Sequence, residues 1–249
     1  MNAPHPLLQP GLLDSTPAVI VGATGGIGAA CARALATSGA RLVLTGHSPQ
    51  RLRALEHELV ERGVAPERLH PLSIDLRLET SCGALRDHTL ERLGGPPKLL
   101  INAAGVGRLG PFGAGSDEDQ LEQVEVNLVG TIRLLRAFAA PLTQTKGIAV
   151  QIISGLAHVP GRKAAIYTAT QHALKGLIGA LRLEYGGEGV RYATVTAAGA
   201  GVDTRFWDKA APRTPRGQML APERVAEAVM AVLLAPDGAV VDDVRVRTP

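Results

Sequence analysis

Aromatic side chains are scarce in this sequence. Phenylalanine, tryptophan and tyrosine together make up only 3% of its 249 residues. Proteins that bind single-stranded nucleic acid stack bases on aromatic rings, so such a partner is not expected. Hydrophobic residues still reach 45% of the chain, and the core must therefore be built from Ala, Val, Leu and Ile. Aliphatic cores of this kind are typical of parallel sheets covered by helices on both faces.

Cysteines, blocks of like charge and long apolar runs are also lacking. Cys31 and Cys82 are the only cysteines, which argues against a disulfide framework or a zinc site and predicts a reduced, cytoplasmic protein with no bound metal. The formal charge of +3 comes from scattered residues, so neither nucleic acid nor an anionic membrane is an expected partner. No stretch approaches the roughly 18 uncharged apolar residues of a membrane span. Residues 1–16 lack a signal-peptide pattern, and we expect a flexible lead-in there.

Apolar runs alternate with segments of helical periodicity along the remaining 17–249. This pattern predicts consecutive β-α-β units in one domain, folded as a doubly wound parallel sheet with helices on both faces. The predicted strands are 17–23, 40–46, 69–76, 98–105, 147–154, 190–197 and 240–246. The predicted helices are 26–38, 49–62, 79–93, 117–140, 165–185 and 222–234, and residues 203–219 are predicted to form an irregular flap.

A glycine-rich turn follows the first predicted strand, where residues 22–28 read Gly-Ala-Thr-Gly-Gly-Ile-Gly. Gly22 allows a sharp turn off the strand, Gly26 lets the backbone approach a pyrophosphate, and Gly28 permits close packing of the following helix. The N-terminus of that helix supplies free N–H groups and a favourable dipole. The turn therefore predicts a nucleotide site, although a plain strand-to-helix turn would also need glycine.

The spacing of these glycines resembles the turn of the short-chain dehydrogenase/reductase family, with Val21 in the place of a threonine. Further matches follow in the family's order, and they are Asp75 and Leu76, the segment Asn102, Ala103, Ala104 and Gly105, Asn127, the pair Ser154 and Tyr167, and the run from Ala173 to Leu177. The resemblance implies a Rossmann-type fold that assembles as a homodimer or homotetramer through the helices at 117–140 and 165–185. It also implies cofactor contacts from Gly22, Thr24, Gly25, Gly26, Ile27, Gly28, Asp75, Leu76, Asn102, Ala103, Ala104, Gly105 and Thr204.

The end of the second predicted strand indicates which nucleotide binds. NAD-binding sites normally carry an Asp or Glu there, which bonds the ribose 2′-hydroxyl. Residues 45–48 contain no acidic group, so nothing would repel a 2′-phosphate, and His47, Ser48 and Arg51 supply donors for one. We therefore expect NADP(H) in preference to NAD(H), unless these positions are ordinary solvated turn residues.

One member of the family's catalytic set is replaced. By resemblance, Tyr167 exchanges a proton with the substrate oxygen, Ser154 aligns the carbonyl, and Asn127 anchors a water. The lysine that binds the nicotinamide ribose and lowers the tyrosine pKa is here Gln171. Lys175 lies two helical turns from Tyr167 and is rotated from it by about 80°, so it cannot easily take over. His158 is a further candidate for compensation.

Loss of this charge affects the two directions of reaction differently. An unassisted tyrosine has a pKa of about 10, so less than about 1% is ionised near pH 7.5. Alcohol oxidation needs the phenolate, whereas carbonyl reduction uses the neutral phenol. The sequence thus favours a reductase acting on a small or medium-sized organic substrate.

Two other functions stay open, because function depends on the site more than on the fold. One is a non-redox isomerase, dehydratase or cyclase, and the other is a nucleotide-sensing binding protein. The segment after the sixth strand, residues 197–204, lacks the family's Pro-Gly pair, so we expect a looser or reshaped loop beneath the nicotinamide.

Overall fold

The computed structural model describes Leu7, residues 9–236 and residues 238–249. Of the predicted lead-in, positions 1–6 and 8 lie outside the described residues. Leu13 is buried, and its N–H donates to the Ser38 carbonyl over 2.7 Å. This part of the lead-in therefore packs against the end of the first helix.

Seven strands form one fully parallel sheet in the order β3-β2-β1-β4-β5-β6-β7. The predicted doubly wound fold is thereby confirmed. The strands are β1 (Pro17–Val21), β2 (Arg41–Gly46), β3 (Leu69–Ser73), β4 (Leu99–Asn102), β5 (Ile148–Ser154), β6 (Arg191–Ala197) and β7 (Asp243–Val246).

Helices cover both faces of the sheet, because each turns an aliphatic stripe toward it. They are α1 (Gly26–Thr37), α2 (Pro49–Glu61), α3 (Glu79–Leu93), α4 (Asp117–Val124), α5 (Gly130–Thr145), α6 (Ala165–Tyr185), α7 (Phe206–Ala210) and α8 (Pro222–Leu233). Apolar residues of α1, α2 and α8 fill one core layer, and those of α3, α5 and α6 fill the other. Within the described part of the chain, no helix combines the length and apolarity needed to cross a membrane.

The predicted single helix at 117–140 is wrong in detail. A π-helical turn at Glu125–Val129 separates α4 from α5, and α5 continues to Thr145. The turn draws the Asn127 side chain inward, where it bonds the backbone of Val106. Such a turn arises from tertiary contacts, which sequence periodicity does not reveal, and π-turns are frequent at functional sites.

Several predicted strands are longer than the observed ones. In particular, β3 ends at Ser73, β4 ends at Asn102 and β7 begins at Asp243. The apolar residues beyond the ends of β3 and β4 line an open cleft instead of continuing the sheet.

Candidate active site

A cleft of about 1460 Å³ runs along the carboxyl ends of the strands. It is centred where the strand order reverses, between β1 and β4, which is where doubly wound sheets bind their ligands. Sixteen of the predicted site residues line it, namely Gly22, Thr24, Gly25, Gly26, Ile27, His47, Arg51, Asp75, Leu76, Ala103, Ala104, Gly105, Ser154, Tyr167, Gln171 and Thr204. Four do not, namely Gly28, Ser48, Asn102 and Asn127.

The glycine-rich turn has the shape required for a phosphate group. Gly22 has a φ of +79°, and a Cβ there would lie 2.6 Å from the Ala104 nitrogen. A Cβ on Gly28 would collide with the Gly22 carbonyl, so both positions require glycine. No side chain caps the N-terminus of α1, and its first turn contains no acidic residue. The turn and helix end therefore fit a pyrophosphate held by backbone N–H groups.

Asp75, which lines the cleft, is already paired within the chain. The Arg77 guanidinium donates to both of its oxygens, with Nε–Oδ1 and Nη2–Oδ2 distances of 3.0 and 2.6 Å. This hydrogen-bonded pair lowers the pKa of the Asp75 carboxyl. His47 Nδ1 lies 3.8 Å from the same carboxylate. The sequence analysis does not identify Arg77 as a cleft residue, although its position two residues after Asp75 could have indicated a pair between them.

The polar residues after β2 divide into a cap and cleft-lining groups. Ser48 caps α2 by accepting the Arg51 N–H over 3.4 Å, so its hydroxyl serves the helix. Arg51 and His47 line the cleft. Among the described residues, no carboxylate forms an ion pair with Arg51, which leaves its guanidinium free for a ligand.

Ser154 and Tyr167 meet in the cleft. Ser154 ends β5, and Tyr167 lies in the first turn of α6. Burial raises the pKa of the Tyr167 phenol to about 12, and a hydrogen bond with the Ser154 side chain only partly opposes this rise. The Phe206 ring packs against the Tyr167 ring at a centroid distance of 5.4 Å. The phenol is therefore neutral over the ordinary pH range and can act as a proton donor.

Gln171 is buried one helical turn beyond Tyr167. Its Oε1 accepts the Ser154 backbone N–H over 2.8 Å. The amide thus fixes the end of β5, and it brings no positive charge to the phenol.

Lys175 forms a hydrogen bond with His158 and not with Tyr167. Its Nζ donates to His158 Nδ1 over 3.1 Å, and His158 Nε2 lies 3.2 Å from the Thr196 hydroxyl. Because a lysine ammonium can only donate, Nδ1 accepts and Nε2 carries the histidine proton. Partial burial and the charges of Lys175 and Arg245 lower the pKa of His158. These contacts direct Lys175 toward His158 and away from Tyr167.

Two asparagines position the backbone behind the cleft surface. Asn127 accepts the Val106 N–H over 2.8 Å and donates to the Val106 carbonyl over 2.9 Å. Its amide also donates to the Thr170 hydroxyl over 3.3 Å, which ties the π-turn to α6. Asn102 bonds Thr131, Gln151 and the Ala104 N–H.

The loop after β6 lacks the expected proline yet is held in place. Gly201 has a φ of +99°, and a Cβ there would lie 2.5 Å from the Trp207 ring. The Trp207 Nε1 donates to the Val202 carbonyl over 2.9 Å, and the Leu220 N–H donates to the Gly201 carbonyl over 2.9 Å. These contacts hold the loop in place, so it is not loose. The Thr204 side chain contacts the glycine turn at Gly26.

The comparisons with known proteins agree with this geometry. A profile of the family described as short chain dehydrogenase matches residues 16–214. The chain belongs to the short-chain dehydrogenase family. D-threitol dehydrogenase of Mycolicibacterium smegmatis is 32% identical to this short-chain dehydrogenase over 238 residues, which cover 91% of this chain and 88% of that protein.

Solved structures in the family superpose closely on this chain. An alcohol dehydrogenase from Thermococcus sibiricus, complexed with 5-hydroxy-NADP, has a TM-score of 0.84 and 31% identity, covering 94% of this chain and 96% of its own. A variant of actinorhodin polyketide ketoreductase with NADPH has a TM-score of 0.82 and 29% identity, covering 94% and 96%. This chain is therefore a family member with an oxidoreductase scaffold. Its described residues contain no cluster of three or more His, Cys, Asp or Glu suited to a metal ion.

Proposed function

We propose that this protein is an NADP(H)-dependent carbonyl reductase in which Tyr167 donates the proton and Ser154 aligns the carbonyl. The observation that carries the proposal is the placing of Ser154 and Tyr167 in the same cleft, beside an uncharged Gln171. Burial raises the pKa of the Tyr167 phenol to about 12. A phenol that stays protonated can give a proton to a developing alkoxide. It is a poor base for removing one from an alcohol.

The two directions of reaction use protonation states of Tyr167 that are populated very differently. With a pKa of about 12, only about three tyrosines in 100,000 are ionised near pH 7.5. General acid–base catalysis is typically worth about 10²- to 10⁴-fold in rate. Near this pH, oxidation therefore starts from a rare ionisation state of Tyr167, whereas reduction starts from the abundant one.

The residues along the cleft divide the work of binding and proton transfer. The N–H groups at the start of α1 would hold the pyrophosphate, Asp75 and Leu76 would contact the adenine, and His47 and Arg51 would bind the 2′-phosphate. When bound, NADPH would supply a hydride to the carbonyl carbon. The Ser154 hydroxyl holds the carbonyl oxygen while the Tyr167 phenol protonates it. The Phe206 ring packs against the Tyr167 ring and fixes its position.

The preference for NADP(H) is supported by the chemistry at the end of β2. Residues 45–48 carry no carboxylate, and Arg51 reaches the cleft without an acidic partner among the described residues. The two solved relatives above contain NADP-type nucleotides.

A binding measurement and a turnover measurement together test the proposal. We expect NADPH fluorescence to change on addition of the protein, with weaker binding of NADH, and NADPH to be consumed in the presence of a panel of ketones and aldehydes. Tyr167→Phe should lower kcat by about 10²- to 10⁴-fold without weakening NADPH binding. The control Tyr185→Phe, on the far end of α6 and outside the cleft, should retain activity.

Other results would redirect the proposal. NADPH binding without consumption for any carbonyl would support a nucleotide-sensing protein instead. Tyr167-dependent conversion of a substrate without change in NADPH would support a non-redox enzyme. If neither nucleotide binds, the proposal is wrong.

We further propose a homodimer or homotetramer that uses α4 and α6. Leu121 on α4 is 59% exposed and Leu183 on α6 is 88% exposed. Exposed apolar surface marks sites of protein–protein contact where it forms a contiguous patch, and most soluble oligomers join such surfaces symmetrically.

A further inference from the structure

A group of unpaired cations lies at one end of the cleft. Arg245 and Arg247 line it together with His158. Among the described residues, no carboxylate lies within ion-pair distance of either arginine. The ion pairs of the cleft carboxylates are formed with other arginines. Within the part of the chain that the structure describes, the only polar contact of the Arg247 guanidinium is a long one, 3.5 Å, to the Thr248 carbonyl.

The acidic residues of the cleft, in contrast, all form ion pairs. Each carboxylate in its lining is paired with an arginine, the five being Glu58, Asp75, Glu122, Asp203 and Asp208. The negative charges of the cleft are therefore largely neutralised within the chain. The two arginines on β7 and just beyond it leave a net positive potential at their end of the cleft.

Strand register places these arginines at a definite distance from the catalytic pair. Ser154 pairs with Ala197 on β6, and Ala197 pairs with Val246 on β7. Arg245 and Arg247 flank Val246 in sequence. Because adjacent strands lie about 4.8 Å apart, the arginines lie two strand spacings, or about 10 Å, from the strand that ends at Ser154.

The neighbouring groups on this face reinforce the positive charge. Arg245 pairs in register with Thr196, whose hydroxyl contacts His158. Lys175 donates to the other nitrogen of that histidine. Its ammonium group therefore lies next to His158, which lines the cleft. Asp243 is the one nearby carboxylate on this strand, and its Oδ1 accepts the Thr194 hydroxyl over 3.0 Å.

We propose that the substrate carries an anionic group, a carboxylate or a phosphate, that binds Arg245 and Arg247, which lie on and just beyond β7, two strands from the strand that ends at Ser154. This inference rests on the proposed reductase function and specifies its substrate class. Arginine suits the role because its planar guanidinium matches both oxyanions in a bidentate arrangement. The anion orients the chain of the substrate, so that its carbonyl is presented to Ser154 and Tyr167.

The test compares substrates that differ only in charge. 8-Oxononanoate and its methyl ester share the same carbonyl and a chain of comparable length, and 8-oxononyl phosphate replaces the carboxylate. We expect kcat/KM to be larger for an anion than for the ester. The Arg245→Gln/Arg247→Gln double variant should lower the ratio of kcat/KM for acid over ester by about tenfold, since each exposed ion pair is worth up to about fivefold. The control Arg53→Gln, an exposed residue of α2 outside the cleft, should leave the ratio unchanged.

The two anionic substrates distinguish the source of the charge. A smaller KM for the phosphate than for the carboxylate assigns a phosphorylated substrate, and the reverse assigns a keto acid. Equal kcat/KM for acid and ester, or a ratio that the double variant does not change, would overturn the inference while leaving the reductase function intact.

Calorimetry separates this inference from the proposed function. 8-Oxononanoate is titrated into the protein with and without NADP⁺, where no turnover occurs. We expect binding in the wild type and in Arg53→Gln, and weaker binding in the double variant by about tenfold. This result supports the anion site even if no carbonyl is reduced. Equal binding by all three proteins overturns it even if reduction is observed.

Discussion

Position 171 carries a hydrogen-bonding glutamine where the family has a charged lysine. Gln171 Oε1 accepts the Ser154 N–H at the end of β5, so the residue contributes to the order of the site as well as to its electrostatics. A lysine here could donate but could not accept. A lysine at this position would restore the positive charge beside Tyr167, but it would also remove the hydrogen bond that holds the end of β5 at Ser154.

Substitution of this residue separates the two effects. We expect Gln171→Lys to raise alcohol oxidation by at least tenfold near pH 8, because a nearby cation favours the phenolate of Tyr167. We expect Gln171→Met to give no such gain. Both variants should lose about 1–3 kcal/mol of unfolding free energy, since each leaves the buried Ser154 N–H without its acceptor. Denaturant unfolding measures the loss, and equal oxidation rates in the two variants would contradict the electrostatic account.

The high pKa of Tyr167, about 12, predicts opposite pH profiles for the two directions. The phenolate fraction rises about tenfold per pH unit below this pKa, so kcat/KM for oxidation should rise continuously from about pH 7 to 10. Reduction uses the neutral phenol and should show no loss from Tyr167 ionisation over the same range. Initial rates in both directions across these pH values provide the measurement. An oxidation profile that levels off near pH 8 would show that the phenol ionises far more readily.

Among the elements, the β1–α1 turn has a shape that close backbone contacts determine. Its backbone has a positive φ at Gly22 and runs against the segment that follows β4. Both requirements arise because β1 and β4 are parallel neighbours, so the segments that follow them run close together at the switch point.

Alanine substitutions test this requirement. Gly22→Ala should destabilise the protein by more than about 1 kcal/mol, because the new Cβ meets the Ala104 backbone and the φ is unfavourable. It should also weaken NADPH binding. Gly83→Ala in α3 is the matched control, since nothing lies within 4 Å of its Cβ position; it should stabilise the helix by about 0.8–1.0 kcal/mol. Urea unfolding of both variants is the readout, and similar effects would contradict the role of the close approach.

The elements show how far the sequence determines the structure. The doubly wound parallel sheet and the bounds of α3 and α6 follow from hydrophobic periodicity, and the turn after β1 follows from glycine placement. The π-turn at Glu125–Val129 could not be predicted, because it depends on the bond between Asn127 and Val106 across the fold. The same holds for the site. Its Ser154–Tyr167 spacing is visible in the sequence, whereas the partners of Gln171 and Lys175 depend on how α6 packs on β5 and β6.

For the whole molecule, exposed apolar side chains on α4 and α6 predict an assembly. Leu183→Glu should convert the oligomer to smaller species, because a buried unpaired charge is costly at an interface. Val60→Glu on α2 is the control, since this exposed residue lies on the other face of the sheet. Size-exclusion chromatography with light scattering gives the masses. A monomeric wild type, or an unchanged Leu183→Glu oligomer, would contradict the interface.

Trp207 gives the molecule a built-in optical reporter. It is the only tryptophan in the chain, and its ring packs edge-on against Phe206, which in turn covers Tyr167. Indole emission is therefore unambiguous in origin and comes from the flap over the site. Because that emission overlaps the absorption band of reduced nicotinamide, energy transfer from a single known donor can follow the approach of the flap to NADPH in real time.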